Sequence, residues 1–347
     1  MLDLCASNAG CQALLALVLQ QGLPEVALRL VAAEDFAVLR APQNSSIAKS
    51  ILEEVNSVLC GEPGYRAATD AEFADLIWTG LSQGGPKDCH WIVNPIDGLE
   101  GFENLRQYGI SLALLEHGKV VLAAVACPNL PVASILGIKT WIKDEPSSFS
   151  SNEIVEEPAG VYRPLEQSGA QHTTGCLFTA LQGCGAFQAD LFAKDAEAQS
   201  ASIRLPIRPF PLGRNQISDL FEHPDDQTFA LVAPCESKFE IRGYASHMAS
   251  GSTWGPTSRL ALDGQVGYGV LGRGDAKMLL TGGQDDIWDL AAGMLIAQES
   301  GLLVTNGAGV PRSTVAKDAH GSYKAPKLAS LCQACVMHIW MTQQHGV

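Results

Sequence analysis

The sequence predicts a two-domain α/β chain, and three observations carry that reading. Helical and strand patterns alternate through both halves of the 347 residues, hydrophobic residues make up 46% against 17% charged, and no internal repeat is present. That length suits two domains of roughly 100–200 residues each. The apolar excess excludes a disordered or collagen-like chain. The division expected is an α+β N-terminal domain over 1–140, an exposed linker over 141–170 and a C-terminal α/β domain over 171–347. The linker is placed by the polar run 147–152, by Pro158 and Pro164, and by weak periodicity.

Each element has a local reason. Residues 8–21 read as a helix that stops at Gly22 and Pro24, followed by an aliphatic strand over 26–32. Ile47, Ile51, Val55 and Leu59 recur every four residues, which is one face of a helix over 45–60. Thr69 and Glu72 have capping-box spacing ahead of Phe73, Leu76 and Ile77, and that helix ends by Gly84-Gly85-Pro86. A short strand over 90–93 runs into a turn-rich loop, Asn94-Pro95-Ile96-Asp97-Gly98. Strands over 108–115 and 120–127 form a hairpin through His117-Gly118. In the second half, strands are expected over 176–181, 202–205, 228–232, 265–271, 277–280 and 302–304. Helices are expected over 216–222, 257–262 and 288–299, with a last one over 328–341. Cys332 and Cys335 then read as two positions on one buried helix face rather than a zinc or redox pair.

Composition narrows the function classes. Lys and Arg number 23 against 37 Asp and Glu, a formal charge of −14, which excludes a nucleic-acid polymer as partner. Ten irregularly spaced cysteines are no disulfide scaffold and fit a reducing compartment. The apolar run 13–19 follows no basic segment and is far short of the ~20 residues that span a bilayer. A soluble, intracellular chain without membrane contact is expected, its compartment left open between cytoplasm and organelle. Gly267-Tyr268-Gly269-Val270-Leu271-Gly272 matches a dinucleotide fingerprint but falls on an expected strand, so it is discounted. Asn44-Ser45-Ser46 is a glycosylation sequon without an export signal.

Two segments could carry chemistry: 91–102, containing Asn94-Pro95-Ile96-Asp97-Gly98-Leu99, and Trp288-Asp289 ahead of Leu290-Ala291-Ala292-Gly293. A carboxylate at a loop or helix entry is a hard-cation ligand, and Gly98 with helix-entry amides could receive a phosphate. Each aspartate alone is as well explained by a turn or a cap.

Together the segments resemble the lithium-sensitive, magnesium-dependent phosphatases of the inositol monophosphatase superfamily, which carry W-x-x-D-P-[IL]-D-G-T-x-x-F and W-D-x-A-A-G. The likeness runs from about residue 5 to 306 and is strongest to 3'(2'),5'-bisphosphate nucleotidases of plant and algal type, supported at 30–35, 107–108, 116–122, 126–131, 175–183, 263–265 and 268–275. It implies a layered αβαβα sandwich, carboxylate-held Mg²⁺ ions, and removal of the 3'-phosphate from 3'-phosphoadenosine 5'-phosphate to give AMP. By the same resemblance, the ligand glutamate falls on Ala33, with Glu34 one place along as a displaced candidate. The first loop aspartate is Asn94, the carbonyl ligand is Ile96, and Asp97 and Asp289 are retained. The threonine that works on the nucleophilic water is Leu99, and its aspartate partner is Asn8. Gly98, Leu99, Ser246 and His247 fall at substrate and phosphate positions. The family's further helix ahead of the segment matched by 6–12 has no counterpart, which reads either as a real loss or as a start that hides a targeting sequence.

These exchanges point one way. Mg²⁺ prefers charged oxygen ligands; Asn94 deletes a charge and Ala33 deletes the ligand. Leu99 has no hydroxyl and Asn8 no basic oxygen, and general-base help is worth ~10²–10⁴-fold. The nucleotidases' D-S-Q-x-K-Y reads Asp263-Gly264-Gln265-Val266-Gly267-Tyr268, and 281–286 has lost its basic residues. The reading is a nucleotidase-family protein with impaired or absent catalysis and weakened or lost Mg²⁺ binding, kept for binding, scaffolding or regulation. Only weak binding of adenosine 3',5'-bisphosphate or a similar small phosphate is expected, and no protein partner is named by the sequence. The alternative is a slow Mg²⁺-dependent phosphomonoesterase using Asp97, Asp289 and Glu34; a third reading is a subunit that needs a catalytic paralogue.

Overall fold

The computed structural model describes residues 2–26, 28–33, 39–79, 82, 88–103, 105–132, 174–193, 201–207, 229–233, 257–262, 264–276, 278–282, 286–304 and 335–340. Helix α1 (Leu2–Gly22) turns Ala9, Ala13 and Leu17 toward α2 (Ser45–Leu59), which buries Ile51, Leu52, Val55 and Leu59 along the face that its sequence spacing marks. Helix α3 (Asp70–Thr79) opens on the expected capping box. The Glu72 N–H donates to Thr69 Oγ1 at 3.2 Å, and the Thr69 N–H donates to Glu72 Oε2 at 2.8 Å. The Arg66 guanidinium beside it holds the Glu72 carboxyl down to about 2.

Among the described residues, seven strands form the first sheet in sequence order: β1 (Leu30–Ala32), β2 (Cys89–Asp97), β3 (Gly109–Glu116), β4 (Lys119–Pro131), β5 (Thr174–Leu181), β6 (Gly185–Asp190) and β7 (Ile203–Arg204). Within this sheet, among the described residues, only the β1–β2 pair is parallel. The β3–β4 turn places His117 at φ 50° and Gly118 at φ 79°, the positive-φ pair whose twist matches a hairpin. Alternation gives the sheet two buried faces. Leu112, Leu114 and Leu122 join Trp91 and Val93 against Ala16 and Leu19 of α1. On the other face Ala113, Leu115, Val125 and Phe178 pack on α5 (Val266–Arg273) and α6 (Ile287–Glu299).

The second sheet runs β11 (Leu302–Val304), β12 (Cys335–Trp340), β10 (Met278–Gly282), β8 (Phe229–Ala233), β9 (Thr257–Ala261). Leu279, Leu302 and Val304 close the far side of the α5–α6 layer. With a sheet on each side, α6 is apolar almost all round and buries Ile287 and Leu290 through Ala297. The described layers are therefore helix, sheet, helix, sheet, an α/β sandwich; the last helical layer implied by the resemblance is not among the described residues. Among the described residues no helix is long and apolar enough to cross a membrane.

Several expected elements change. The strand over 26–32 shortens to 30–32, because Pro24 and Glu25 turn and Val26 bends. The loop 94–98 is instead the end of β2, continuous to Asp97 with a bulge between Asn94 and Asp97 that accommodates Pro95. The helix over 257–262 is strand β9, paired in parallel with β8. The strand over 265–271 is helix α5: Val266, Tyr268 and Val270 alternate with glycines, but the glycines are buried too. A Cβ on Gly269 would enter the Phe178 ring, so this helix needs a bare backbone where it meets the sheet. The fingerprint-like glycines thus lie inside a helix. The helix over 328–341 gives way to strand β12, which takes Cys335; Cys332, the linker 141–170 and the helix over 216–222 lie outside the described residues.

His90, buried at the start of β2, sets a pH dependence. Its Nδ1 stands 3.3 Å from Ser82 Oγ, and its Nε2 meets no hydrogen-bond partner among the described residues. Burial first, and the Arg29 guanidinium second, lower its pKa from 6.5, with Asp88 opposing. The folded chain therefore holds the imidazole neutral more strongly than the unfolded chain does. Its contribution is complete above the unfolded pKa and is lost as pH falls through the folded one. Melting followed from about pH 7.5 to 5 should show a smaller acid-side loss for His90→Gln than for the natural chain. Identical losses would remove His90 from the account.

Candidate active site

The end of β2 carries the first half of the site. In a regular strand Asn94 and Asp97, three apart, would face opposite sides of the sheet. The bulge between them re-aims the chain, so both side chains reach the α5–α6 side. Asn94 is buried and stands in register with Ser111 of β3. Its Nδ2 donates to Asp289 Oδ1 at 3.0 Å.

Asp289 sits in the first turn of α6 and closes a capping box with Asp286, whose N–H donates to Asp289 Oδ2 at 2.8 Å. Both oxygens of Asp289 thus accept protein N–H groups. Asp97, 7% exposed, accepts the backbone N–H of Gln265 on Oδ2. Gln265 is fully buried, and its side chain ties the same region together. Nε2 donates to Ser111 Oγ at 2.6 Å and to the Trp288 carbonyl at 2.7 Å, while Oε1 accepts the Gly293 N–H at 2.6 Å.

Other candidates lie around this centre. Gly98, at φ 87°, leads into the short helix α4 (Leu99–Glu103), and its carbonyl accepts the Phe102 N–H at 2.9 Å. Leu99 is 37% exposed. Ile96 is half-buried in the bulge. Asn8 is buried on α1, one turn before Cys11, whose thiol donates to the Pro95 carbonyl at 3.3 Å. Burial pushes the Cys11 thiol up to about 11, so it is a neutral donor there. Ala33 follows β1 and its N–H donates to the Val93 carbonyl at 3.3 Å. Glu34, Ser246 and His247 lie outside the described residues. The structure thus brings Asn94, Asp97 and Asp289 onto one side of the sheet, Asn94 bonded directly to Asp289 and Asp97 tied to the same helix through Gln265.

A cluster of Mg²⁺ ions needs several anionic oxygens turned toward the cations. Among the described residues no three His, Cys, Asp or Glu gather as a metal site. Asn94 presents its donor nitrogen to Asp289, and Asp97 and Asp289 both accept backbone N–H groups. The described residues therefore supply two carboxylates and one amide, fewer charged oxygens than the multi-magnesium site implied by the resemblance. Neither Leu99 nor Asn8 can accept a proton from water at neutral pH. Gln265, Ser111 and Cys11 carry no site signal that sequence reasoning alone identifies. Gln265 lies in Asp263-Gly264-Gln265, a stretch that supports the resemblance without marking Gln265 as a site residue.

The inositol monophosphatase family model matches residues 38–337. A 3'(2'),5'-bisphosphate nucleotidase 1 of Arabidopsis thaliana is 33% identical over 302 residues, covering 85% of this chain and 72% of that protein. A 3'(2'),5'-bisphosphate nucleotidase of Oryza sativa is 32% identical over 311 residues, covering 87% and 73%. A solved IMPase/NADP phosphatase complexed with Mg²⁺ and phosphate is 13% identical, with a TM-score of 0.45 over 96% of this chain and 76% of that one. On the family match and the two plant relatives, this chain belongs to the inositol monophosphatase family.

Proposed function

We propose that the chain is a catalytically impaired member of the 3'(2'),5'-bisphosphate nucleotidase group, kept for binding, scaffolding or regulation. The observation that carries this is the 3.0 Å hydrogen bond from Asn94 to Asp289. It engages two residues that the resemblance assigns to metal positions, one as donor and one as acceptor. The amide keeps one neutral oxygen for a cation where a carboxylate would offer charged ones, and its N–H occupies a lone pair of Asp289 Oδ1. The chemistry that Mg²⁺ supplies in such enzymes is polarisation of the phosphate and a more acidic bound water. Here Leu99 and Asn8 replace the residues that would move that water's proton. Identity near 30% to proteins named as nucleotidases supports the substrate class, a small adenosine bisphosphate.

The test is phosphate release from 3'-phosphoadenosine 5'-phosphate at saturating Mg²⁺. It compares the natural chain with a variant carrying Asn8→Asp, Ala33→Glu, Asn94→Asp and Leu99→Thr. The natural chain is expected to be silent and the variant to gain at least ~10²-fold over it. Turnover by the natural chain that a chelator abolishes would sink the proposal and direct attention to Glu34. Silence from both proteins would move the function away from phosphate hydrolysis at this site.

A further inference from the structure

The geometry points to a role for Asp97 other than metal binding: a metal-independent clasp that fastens the end of β2 to the start of α5, with Gly264 as the residue that permits it. This goes beyond the impaired chemistry proposed above, because it concerns what the retained acid does, whether or not phosphate is released.

A carboxylate that is 7% exposed must have its charge compensated nearby. The Gln265 N–H donates to Oδ2, at the entry to α5, where the aligned peptide dipoles favour an anion. Gly264 makes this approach possible in two ways. It takes φ +56°, a left-handed conformation costly for other residues, and a Cβ there would fall onto the Asp97 carboxylate. The clasp extends through one residue, since the Gln265 side chain holds Ser111 of β3 and both Trp288 and Gly293 of α6. Gln265 therefore binds Asp97 with its backbone while its side chain grips the helix that bears Asp289. In this arrangement Asp97 locks the first sheet to the α5–α6 layer, and Mg²⁺ adds nothing to it.

Thermal melting of the full chain in chelator and in millimolar Mg²⁺ tests the clasp. The natural chain should melt at the same temperature in both buffers. Asp97→Asn, which removes the charge from a charge-assisted hydrogen bond, should melt roughly 3–10 °C lower in both. Gly264→Ala should lower the melting temperature strongly in the natural background, but by less than half as many degrees once Asp97→Ala has removed the carboxylate. Where a variant does not fold, hydrogen exchange on the natural chain reads the same contact. The Gln265 amide should exchange slowly, with or without Mg²⁺.

Three results would overturn the clasp: Mg²⁺ raising the melting temperature in a way that Asp97→Asn abolishes, strictly additive losses for Gly264→Ala and Asp97→Ala, or Mg²⁺ accelerating exchange at Gln265. A chain silent in phosphate release yet stabilised by Mg²⁺ through Asp97 defeats the clasp and leaves the proposed function standing. An active chain whose melting ignores Mg²⁺ does the reverse.

Discussion

Replacing Arg273 by methionine should lower the free energy of unfolding by about 3–5 kcal/mol, the range for breaking a buried ion pair from one side. Arg273 and Asp275 both have fully buried side chains. Nε donates to Asp275 Oδ2 at 2.8 Å, and Nη2, 2.7 Å from the same oxygen, lies outside hydrogen-bond geometry and acts as a Coulombic contact. Nη1 donates to the Pro131 carbonyl at 2.7 Å, where β4 ends. Methionine fills similar space but leaves the Asp275 charge and the Pro131 oxygen without this donor. Lysine, with a point charge in place of the planar fork, should fall between the two. Adding Asp275→Leu to Arg273→Met should recover most of the loss, because replacing the whole pair by apolar groups is near neutral. Denaturant unfolding with an unchanged m-value reads all of these. A loss under about 1 kcal/mol for Arg273→Met would show that water reaches the pair.

Asn94→Asp is the other substitution with a large expected effect, and its cost should depend on metal and on pH. It sets a second carboxylate at the 3.0 Å contact now made by an N–H donor to Asp289 Oδ1. Two such groups cannot both stay ionised at that separation without a cation or a shared proton. In chelator at neutral pH the variant should lose roughly 2–4 kcal/mol. The folded pair then has a raised pKa and binds protons more tightly than the unfolded chain does. The penalty should therefore ease as pH falls toward ~5, opposite in sign to the His90 effect. Added Mg²⁺ should raise the variant's melting temperature. A variant as stable as the natural chain in chelator would mean that Asn94 and Asp289 move apart at little cost.

The parts of the fold legible in the sequence are those where one local signal has one structural meaning. The four-residue spacing of Ile47, Ile51, Val55 and Leu59 could only be one face of a helix, and Thr69 with Glu72 gave the start of α3. Signals failed where burial on several sides removes the contrast between apolar and polar positions. Helix α5 lies between the two sheets, so every residue from Val266 to Arg273 is buried and the glycine alternation imitated a strand. Pro95 suggested a loop, while the bulge lets β2 run on past it. For the site, resemblance found Asn94, Asp97 and Asp289 one at a time. Which of them engage one another depends on the bulge and on Gln265, and neither has a periodic signature.

The second sheet has a consequence for how the polypeptide is made. Strand β12, latest in sequence of the described strands, lies between β11 and β10 and pairs antiparallel with both. While the ribosome has yet to deliver residues 335–340, β10 and β11 each lack that neighbour and face a gap one strand wide. Neither can bridge the gap alone, since strands sit only ~5 Å apart when paired. From the completion of β11 until β12 arrives, the nascent chain therefore carries two unsatisfied edges, the kind of surface that recruits chaperones or strays into intermolecular pairing. A stop codon between β11 and β12 would leave both edges permanently open, whatever the state of the first sheet.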